Sequence, residues 1–444
     1  MRRLKRSRAS VWRIAATLCA LFSVSVLLQG QQDPKVLVAR VRERVLATVD
    51  RLPNYMCTQT IDRAQYEPVK IIPTSSCAER MRWRKRGLKQ SLTTSDRLRL
   101  DVGVADKREI YSWVGENSFR NRSLSDLVGE GTISNGSFAS FLMMIFRADA
   151  GDFAYKGKVN EAGRALAKFG FRVPREKSHY SFSTRKERSM IAYEGTLLVD
   201  PKKADLVRLE ITGQPWETGT CEITTTMDYG WVRLNGSTFL LPAETRLKIV
   251  DLNGDEFDNQ TVYSSCHEFL GESTLTFEPP PEPATKGRGV ASNEAAVELP
   301  PGIPFTVAIT QDIDSAVAAT GDPITARLAT AIRDESATVL VAEGAAITGR
   351  ILRIRRFYGQ SALLVLAVKL ETLDAGGTPR PFSAAVDPSG ADSAERTGFS
   401  IGGWNLGPTT TFTDRGVAVF EFQNTTANPM IRAGLESKWV TIAP

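Results

Sequence analysis

The chain has 444 residues, enough for two domains, because a single hydrophobic core stops growing at about 250–300 residues. Its composition, 42% hydrophobic and 24% charged, is that of a globular protein. Six of the 56 basic residues and none of the 50 acidic residues fall within the first thirty positions. The rest of the chain therefore has 50 basic and 50 acidic residues, which removes the charge argument for a nucleic-acid-binding protein.

Residues 1–30 predict a secretory signal peptide. Six cations precede a run of apolar and small residues that ends at Gly30, before a polar stretch. Lipidation at Cys19 and retention as an uncleaved membrane anchor are the alternatives. The sequence thus predicts an exported protein, in the periplasm or outer envelope of a Gram-negative-type bacterium.

Four cysteines follow the leader: Cys57, Cys77, Cys221 and Cys266. An oxidising compartment favours their pairing, and closure of local loops favours Cys57–Cys77 and Cys221–Cys266. A metal site is the rival interpretation. CxxC and HxxxH spacings are absent from the sequence, so we predict no metal and no other cofactor.

The first predicted element after the leader is a helix in "DPKVLVARVRERVLATVDRL". Asp33 can cap this helix and Pro34 suits its first turn. An apolar stripe runs along it: Val38, Val41, Val45, Val49 and Leu52. Because the helix carries both charge signs and no aromatic anchor, we expect it to pack on a sheet rather than to lie on a membrane.

From Tyr55 to about Phe277 the hydrophobic pattern has mainly period two, as in β-strands. Asn-Gly pairs at 235–236 and 253–254 predict two hairpins, and "LLVDPKKADLVRL" predicts a third connection between strands. The region therefore reads as an antiparallel meander.

One segment, "GSFASFLMMIFRADA" from Gly136 to Ala150, interrupts the strands. It is apolar on nearly every side, which predicts a buried helix. Its methionines are adaptable side chains that could line an apolar ligand cavity, and the alternative is a helix that simply fills the hollow of the sheet. The candidate ligand-lining residues are Phe138, Phe141, Leu142, Met143, Ile145 and Phe146.

The stretch "AERMRWRKRGLK" predicts a cationic strand. Arg80, Arg82, Arg84 and Arg86 recur every second residue, so a strand would place them on one face and Trp83 on the other. We expect a solvated outer face. Contact with an anionic lipid headgroup or partner through these arginines is the second interpretation, and nucleic acid the third.

Residues 278–302 are rich in proline and predict a linker, which divides the chain into four parts. Residues 1–30 are the leader, 31–277 a first β domain, 278–302 the linker and 303–444 a second domain. Short strands with Gly and Asp turns in the second domain predict a small β-barrel or sandwich.

Residue patterns for catalysis are weak. Ser183 and Lys186 have SxxK spacing but follow an alternating strand pattern instead of opening a helix. "DLNGDEFD" resembles the start of a calcium loop, but Glu256 stands where that loop needs glycine, which favours a hairpin tip. We therefore predict that the protein is not an enzyme.

The first domain resembles a known superfamily. "LPNYMCTQT", "ISNGSFASFLMMIF" and "MDYGWVRLNGSTFLLPAE" resemble uncharacterised exported acidobacterial proteins. A strand ending in "VDP", the return strand "LVRLE" and then "LNG..FLLP" are similar to the LolA/LolB and MucB superfamily. The resemblance covers roughly residues 33–277. It implies a half-open antiparallel barrel closed by helices, with an apolar hollow that takes acyl chains.

The second domain resembles the TrbI-like β-barrel domain over about residues 299–373. The matching segments are "LPPGIPFTVAITQDIDSAVAATGDPITARLATAI" and "VLVAEGAAITGRI". The resemblance implies an envelope barrel, and the membrane-inserting helices of the channel proteins have no counterpart in this sequence.

These observations combine into one expected architecture and two function hypotheses. The fold is expected to be mainly β: an antiparallel half-barrel with packed helices, a proline-rich linker, and a small β-barrel or sandwich. The first hypothesis is a non-enzymatic envelope protein that binds a lipid, lipoprotein or other apolar ligand, with the second domain mediating assembly and with contact to a membrane surface. The second is a structural or adhesive protein without a pocket, which a filled hollow would favour.

Overall fold

The computed structural model describes residues 33–68, 76–87, 89–105, 108–116, 119, 124–128, 131–134, 138–149, 153–183, 188–213, 220–268, 297, 299–359, 362–387, 416–423 and 429–442. The predicted leader and most of the predicted linker lie outside these residues. The predicted domain boundaries stay predictions.

The long helix α1 (Pro34–Arg51) begins where the sequence predicts it. The Asp33 carboxylate caps it by accepting a hydrogen bond from the Lys35 amide. Its buried side chains form one stripe: Leu37, Val41, Val45 and Val49. The other helical segments described are α2 (Cys77–Lys85), α3 (Leu124–Val128), α4 (Ser140–Met143), a π-helical turn (Met144–Asp149) that continues α4, and a 3-10 turn (Arg175–Lys177).

Most of the first part of the chain forms strands. They are β1 (Tyr55–Pro68), β2 (Gln90–Ala105), β3 (Arg108–Trp113), β4 (Ala154–Glu161), β5 (Arg164–Val173), β6 (Ser181–Ser183), β7 (Arg188–Met190), β8 (Tyr193–Val199), β9 (Leu206–Gly213), β10 (Thr220–Leu234), β11 (Ser237–Asp251) and β12 (Glu256–Glu268). Ten of them make an antiparallel sheet in the order β3-β2-β1-β12-β11-β10-β9-β8-β5-β4, and β6 pairs with β7. The three predicted strand connections are confirmed: 235–236 and 253–254 join consecutive antiparallel strands, as does the turn between β8 and β9.

The second part of the chain is a smaller antiparallel unit. Its strands are β13 (Pro304–Ile309), β14 (Ile313–Asp314), β15 (Pro323–Leu328), β16 (Ile332–Arg333), β17 (Val339–Val341), β18 (Ala346–Phe357), β19 (Leu363–Asp374), β20 (Pro379–Pro381), β21 (Ala384–Val386), β22 (Val417–Gln423), β23 (Met430–Ile431) and β24 (Glu436–Thr441). The main order is β21-β24-β13-β15-β18-β19-β22, around a core that includes the fully buried Trp439. The predicted mainly-β fold is confirmed.

The two units meet edge to edge. Residues 355–357 of β18 pair antiparallel with residues 94–96 of β2. Further along β2, residues 100–105 pair with β3 instead. The Arg99 amide donates to the Thr320 carbonyl, and the Thr320 amide donates to the Arg97 carbonyl, both at 2.8 Å. Gly321 has φ +102°, and a Cβ there would lie 2.2 Å from the Arg99 carbonyl oxygen, so only glycine fits this approach. The two units therefore share one continuous sheet.

The predicted disulfide pairing is wrong. Cys57 pairs with Cys266 and Cys77 with Cys221, instead of Cys57 with Cys77 and Cys221 with Cys266. The reason is the strand order, which places β1 beside β12, the last strand of the first unit along the chain. The register shifts between Met56 and Thr58, and the bridge lies at this bulge.

The predicted cationic strand is also wrong, because the stretch from Cys77 to Lys85 is helix α2. Ser76 and Glu79 form a capping box: the Ser76 hydroxyl accepts from the Glu79 amide, and the Glu79 carboxylate accepts from the Ser76 amide. These two hydrogen bonds satisfy two amide groups that have no partner within the helix. They therefore favour the start of a helix over a strand.

Candidate functional site

The candidate site is the hollow under the helices, on the face of the sheet that α1 and α4 cover, which we call the inner face. Side chains of α1 and α4 and strands β5 and β8–β10 form one apolar cluster there. Leu197, Leu209 and Met227 of the sheet and Val41 of α1 are completely buried in it. Burial of this surface stabilises the closed arrangement of helices on sheet.

The predicted ligand-lining residues separate into two places. Phe141, Leu142, Ile145 and Phe146 are buried in the inner-face cluster and Met143 packs against it. Phe138 lies elsewhere, edge-on to Tyr55 and Tyr263 with ring centroids 5.6 and 4.6 Å away. Their role in binding a ligand stays a prediction.

These side chains pack closely against one another in the hollow. A gap at its mouth has a volume of about 10 Å³, which is no larger than one water molecule needs. This mouth lies between α1, Leu142 of α4, and the sheet residues Leu206 and Leu240. A ligand larger than water therefore enters through this gap only if α1 or α4 moves.

A polar contact closes the mouth. Arg44 of α1 makes an ion pair with the buried Asp205, Nε to Oδ1 2.7 Å, and its guanidinium carbon lies 5.6 Å from the ring centroid of Trp231. The Trp231 indole N–H donates to Asp205 at 3.3 Å. Trp231 is 47% exposed, so this latch of Arg44, Asp205 and Trp231 forms the rim of the hollow. Sequence reasoning missed it, because its residues lie on three separate elements.

The helix over the hollow is irregular. After Met143 the hydrogen-bonding pattern of α4 widens into the π-helical turn. Such turns are rare and occur frequently at functional sites. Arg147 of this turn pairs with Asp50 of α1 at 2.9 Å, which ties the two covering segments together. The predicted buried helix is confirmed, with this change of helix type inside it.

The four arginines of the predicted anionic contact divide between two faces of α2. Arg80 donates to the Asn253 carbonyl at 2.7 Å, and Arg84 pairs with Glu256 at 2.5 Å and with Glu222 at 3.3 Å. Together with Cys77, these two arginines dock α2 on the sheet. Arg82 and Arg86 are exposed, as is Trp83 at 44%. Contact of these four arginines with an anion stays a prediction, and Arg82 and Arg86 are the two whose side chains are exposed.

Asp255 lies buried in the hairpin turn beside α2. Burial, and then the negative charges of Asp251 and Glu67, raise its pKa to about 7. The folded protein therefore holds a proton that the unfolded chain releases near pH 4, and stability falls as the pH rises from about 4 to 7. Asp255→Asn should raise the free energy of unfolding at pH 8 by on the order of 2 kcal/mol. Urea unfolding at pH 5 and pH 8 measures this change.

The gain from Asp255→Asn should shrink at pH 5, where the parent carboxyl is protonated in the folded state. Glu436→Gln removes an exposed carboxylate from the second unit and serves as control. An equal gain at both pH values would contradict the raised pKa.

The weak sequence patterns for catalysis and for calcium binding fall on a short strand and on a hairpin tip. Ser183 ends β6, and Lys186 lies outside the described residues. The calcium-like segment is a hairpin tip, in which the Asp251 carboxylate accepts from the Asn253 and Asp255 amides. The described part of the chain contains no cluster of three or more metal-ligating side chains. Nor does it contain a helix both long and apolar enough to span a bilayer.

Comparison with known proteins gives fold likeness alone. No protein-family model and no curated protein matches the sequence. Among solved structures, the chain is similar to a DUF1329 family protein from Desulfovibrio piger and to the LolA superfamily protein NE2245 from Nitrosomonas europaea. Each has 10% identity and a TM-score of 0.27, over 53% of this chain and 95% or 94% of the other.

MucB, in a complex with MucA(peri), is similar at 11% identity and a TM-score of 0.17, over 91% of this chain and 93% of MucB. These neighbours include the LolA and MucB proteins that the resemblance of the first domain named. At such TM-scores the likeness carries no argument about a ligand or a partner, so function is argued from this chain's own residues.

Proposed function

We propose that this chain is a non-enzymatic exported protein of the cell envelope, whose half-barrel binds an apolar ligand and whose second unit mediates assembly. The ligand would be a lipid or the lipid part of a lipoprotein. The observation that supports this is the inner face itself, an apolar surface of β5 and β8–β10 covered by α1 and by the irregular α4. A helix cover of this kind can be displaced by a ligand that replaces the same apolar contacts.

Ligand entry would start at the latch. Lifting α1 breaks the Arg44–Asp205 ion pair and exposes four aliphatic side chains of the helix. The ligand's apparent association constant is its intrinsic association constant multiplied by the fraction of molecules in which α1 is lifted. Weakening the latch should therefore strengthen binding.

Arg44→Gln should increase the affinity for a fluorescent fatty acid about fivefold. The reason is that loss of the half-exposed ion pair and of the contact with Trp231 destabilises the closed state relative to the open state by about 1 kcal/mol. The measurement is a fluorescence titration of the full chain expressed for export, with native mass spectrometry to detect lipid carried through purification.

Lys35→Gln is the matched control, since it removes an exposed cation from the same helix away from the mouth. The control should bind like the parent. Absence of fatty-acid uptake by both parent and Arg44→Gln, together with lipid-free mass spectra, would contradict a ligand in the hollow.

A second candidate is a structural or adhesive protein without a ligand pocket. The observation that favours it is the close packing of side chains in the hollow, where the gap at the mouth is about 10 Å³. Under this candidate the inner face is an ordinary core, and Arg44→Gln would change stability without changing uptake.

A further inference from the structure

A cleft with a volume of about 300 Å³ lies where the two units meet. One side is the face of β1, β2, β11 and β12 opposite the inner face, which we call the outer face. The other side is the segment after β14 together with β18. The volume is that of a small-ligand site. Because residues of both units line it, the cleft exists only when the second unit is docked on β2.

A polar row crosses the sheet side of the cleft. Arg97, Asp62, Gln260 and Arg246 stand opposite one another on β2, β1, β12 and β11. Neighbouring strands lie about 4.8 Å apart, so the two arginines stand roughly 14 Å from each other at the ends of the row. The Asp62 carboxylate and the Gln260 amide group therefore lie between two guanidinium groups.

Ion pairs hold these arginines in place. Arg97 donates to Asp62 at 2.5 Å and to the Ala316 carbonyl at 2.7 Å. Arg246 makes a bidentate pair with Asp258. A guanidinium has five N–H donors and a bidentate pair uses two of them. Each arginine therefore retains donors for a ligand while its carboxylate partner fixes its position.

The cleft has a net positive charge and a polar lining. Four arginines and three aspartates line it, which leaves one positive charge in excess. From the second unit the buried Arg356 donates to the Ser315 hydroxyl at 2.8 Å, and the Tyr358 and Ser95 hydroxyls lie 3.0 Å apart. Hydroxyl, amide, carboxylate and guanidinium groups line a space of monosaccharide to disaccharide size, together with the apolar side chains of Ile354 and Leu364. An acyl chain would leave these groups without partners.

We propose that the cleft binds a small anionic saccharide, a sugar that carries one carboxylate or phosphate group. The anion would accept hydrogen bonds from the N–H donors that Arg246 or Arg97 retains beyond its ion pair, and the net positive charge of the lining would favour it. The sugar hydroxyls would bond to the carboxylates and Gln260. Tyr66 and Tyr358 would offer ring faces to the C–H side of the sugar. This site is separate from the hollow of the inner face.

Isothermal titration of the full chain with D-galacturonate, D-galactose 6-phosphate, D-galactose and inorganic phosphate tests the proposal. Saturable binding of galacturonate or the sugar phosphate is expected, at least tenfold tighter than that of neutral galactose. Arg246→Gln should weaken this binding at least tenfold and leave fatty-acid uptake unchanged. Because Arg246 is 58% exposed, the variant is expected to fold, which its melting temperature checks.

The matched control is Arg172→Gln, which removes another exposed arginine paired with a carboxylate on the neighbouring strand, Glu194. It should bind the saccharide like the parent. The proposal is overturned if neither anionic sugar binds, if galactose binds as tightly, or if Arg246→Gln binds like the parent. Binding of inorganic phosphate as tight as that of the sugar phosphate, or of a tetra-aspartate peptide in place of the sugars, would overturn the saccharide assignment.

Discussion

Replacing Cys57 and Cys266 together by alanine should lower the free energy of unfolding by about 4 kcal/mol. This disulfide joins β1 to β12, and because Cys77–Cys221 lies inside its loop and stays intact, it closes a loop of about 65 residues in the unfolded chain. A loss of this size is a large part of the 5–15 kcal/mol that stabilises a typical domain. Urea unfolding of the exported, oxidised protein and of the double variant measures it.

Ser264→Ala, which changes an exposed side chain on β12 beside the bridge, is the control and should cost less than about 0.5 kcal/mol. Peptide mapping without reduction should recover Cys57 linked to Cys266 and Cys77 linked to Cys221. A loss below about 1 kcal/mol, or a recovered Cys57–Cys77 peptide, would contradict the structure.

Short sequence patterns predicted those elements whose formation depends on interactions between residues that are close in sequence. The Asp33 cap and the valine stripe predicted α1 because both act within a few turns of one helix. The Asn235-Gly236 pair predicted its hairpin because it supplies the positive φ values, +42° and +89°, that a two-residue turn needs.

Helix α2 shows how a local signal can be overlooked. Alternating arginines fit a strand, but Arg80 and Arg84, like Arg82 and Arg86, are also four apart, as on two faces of a helix. A pattern of charged side chains does not show which side of an element is buried. The spacing of the arginines therefore could not decide between a strand and a helix. The capping box of Ser76 and Glu79 could have decided it.

The disulfide pairing and the polar row of the cleft could not be predicted from the sequence, because both depend on the order of strands in the sheet. The partner of Cys57 became evident only once β12 lay beside β1, and the Arg97–Asp62–Gln260–Arg246 row only from four paired strands. The filling of the hollow is likewise a packing result, since the apolar segment from Phe138 to Phe146 would look the same beside a cavity or a core.

Replacing Asp96 by asparagine should lower the free energy of unfolding by about 3 kcal/mol at pH 7. Asp96 is 7% exposed and binds Arg63 through two bonds of 2.6 Å and Arg355 at 2.9 Å. Arg355 belongs to β18, so this carboxylate joins the two units as well as β1 to β2. Asparagine keeps the shape but removes the charge that both guanidiniums share. Urea unfolding, followed by probes in each unit, measures the loss.

Asp62→Asn is the matched control, because Asp62 pairs with Arg97 between the same two strands but is 51% exposed, and it should cost less than about 1 kcal/mol. Burial alone would raise the pKa of Asp96, but the charges of Arg63 and Arg355 hold it below its ordinary value. Its stabilisation is therefore complete above about pH 4 and is lost as the pH falls through the lower folded pKa. The difference between parent and Asp96→Asn should shrink below pH 4, and a difference unchanged at pH 3 would show that the carboxylate charge is not its cause.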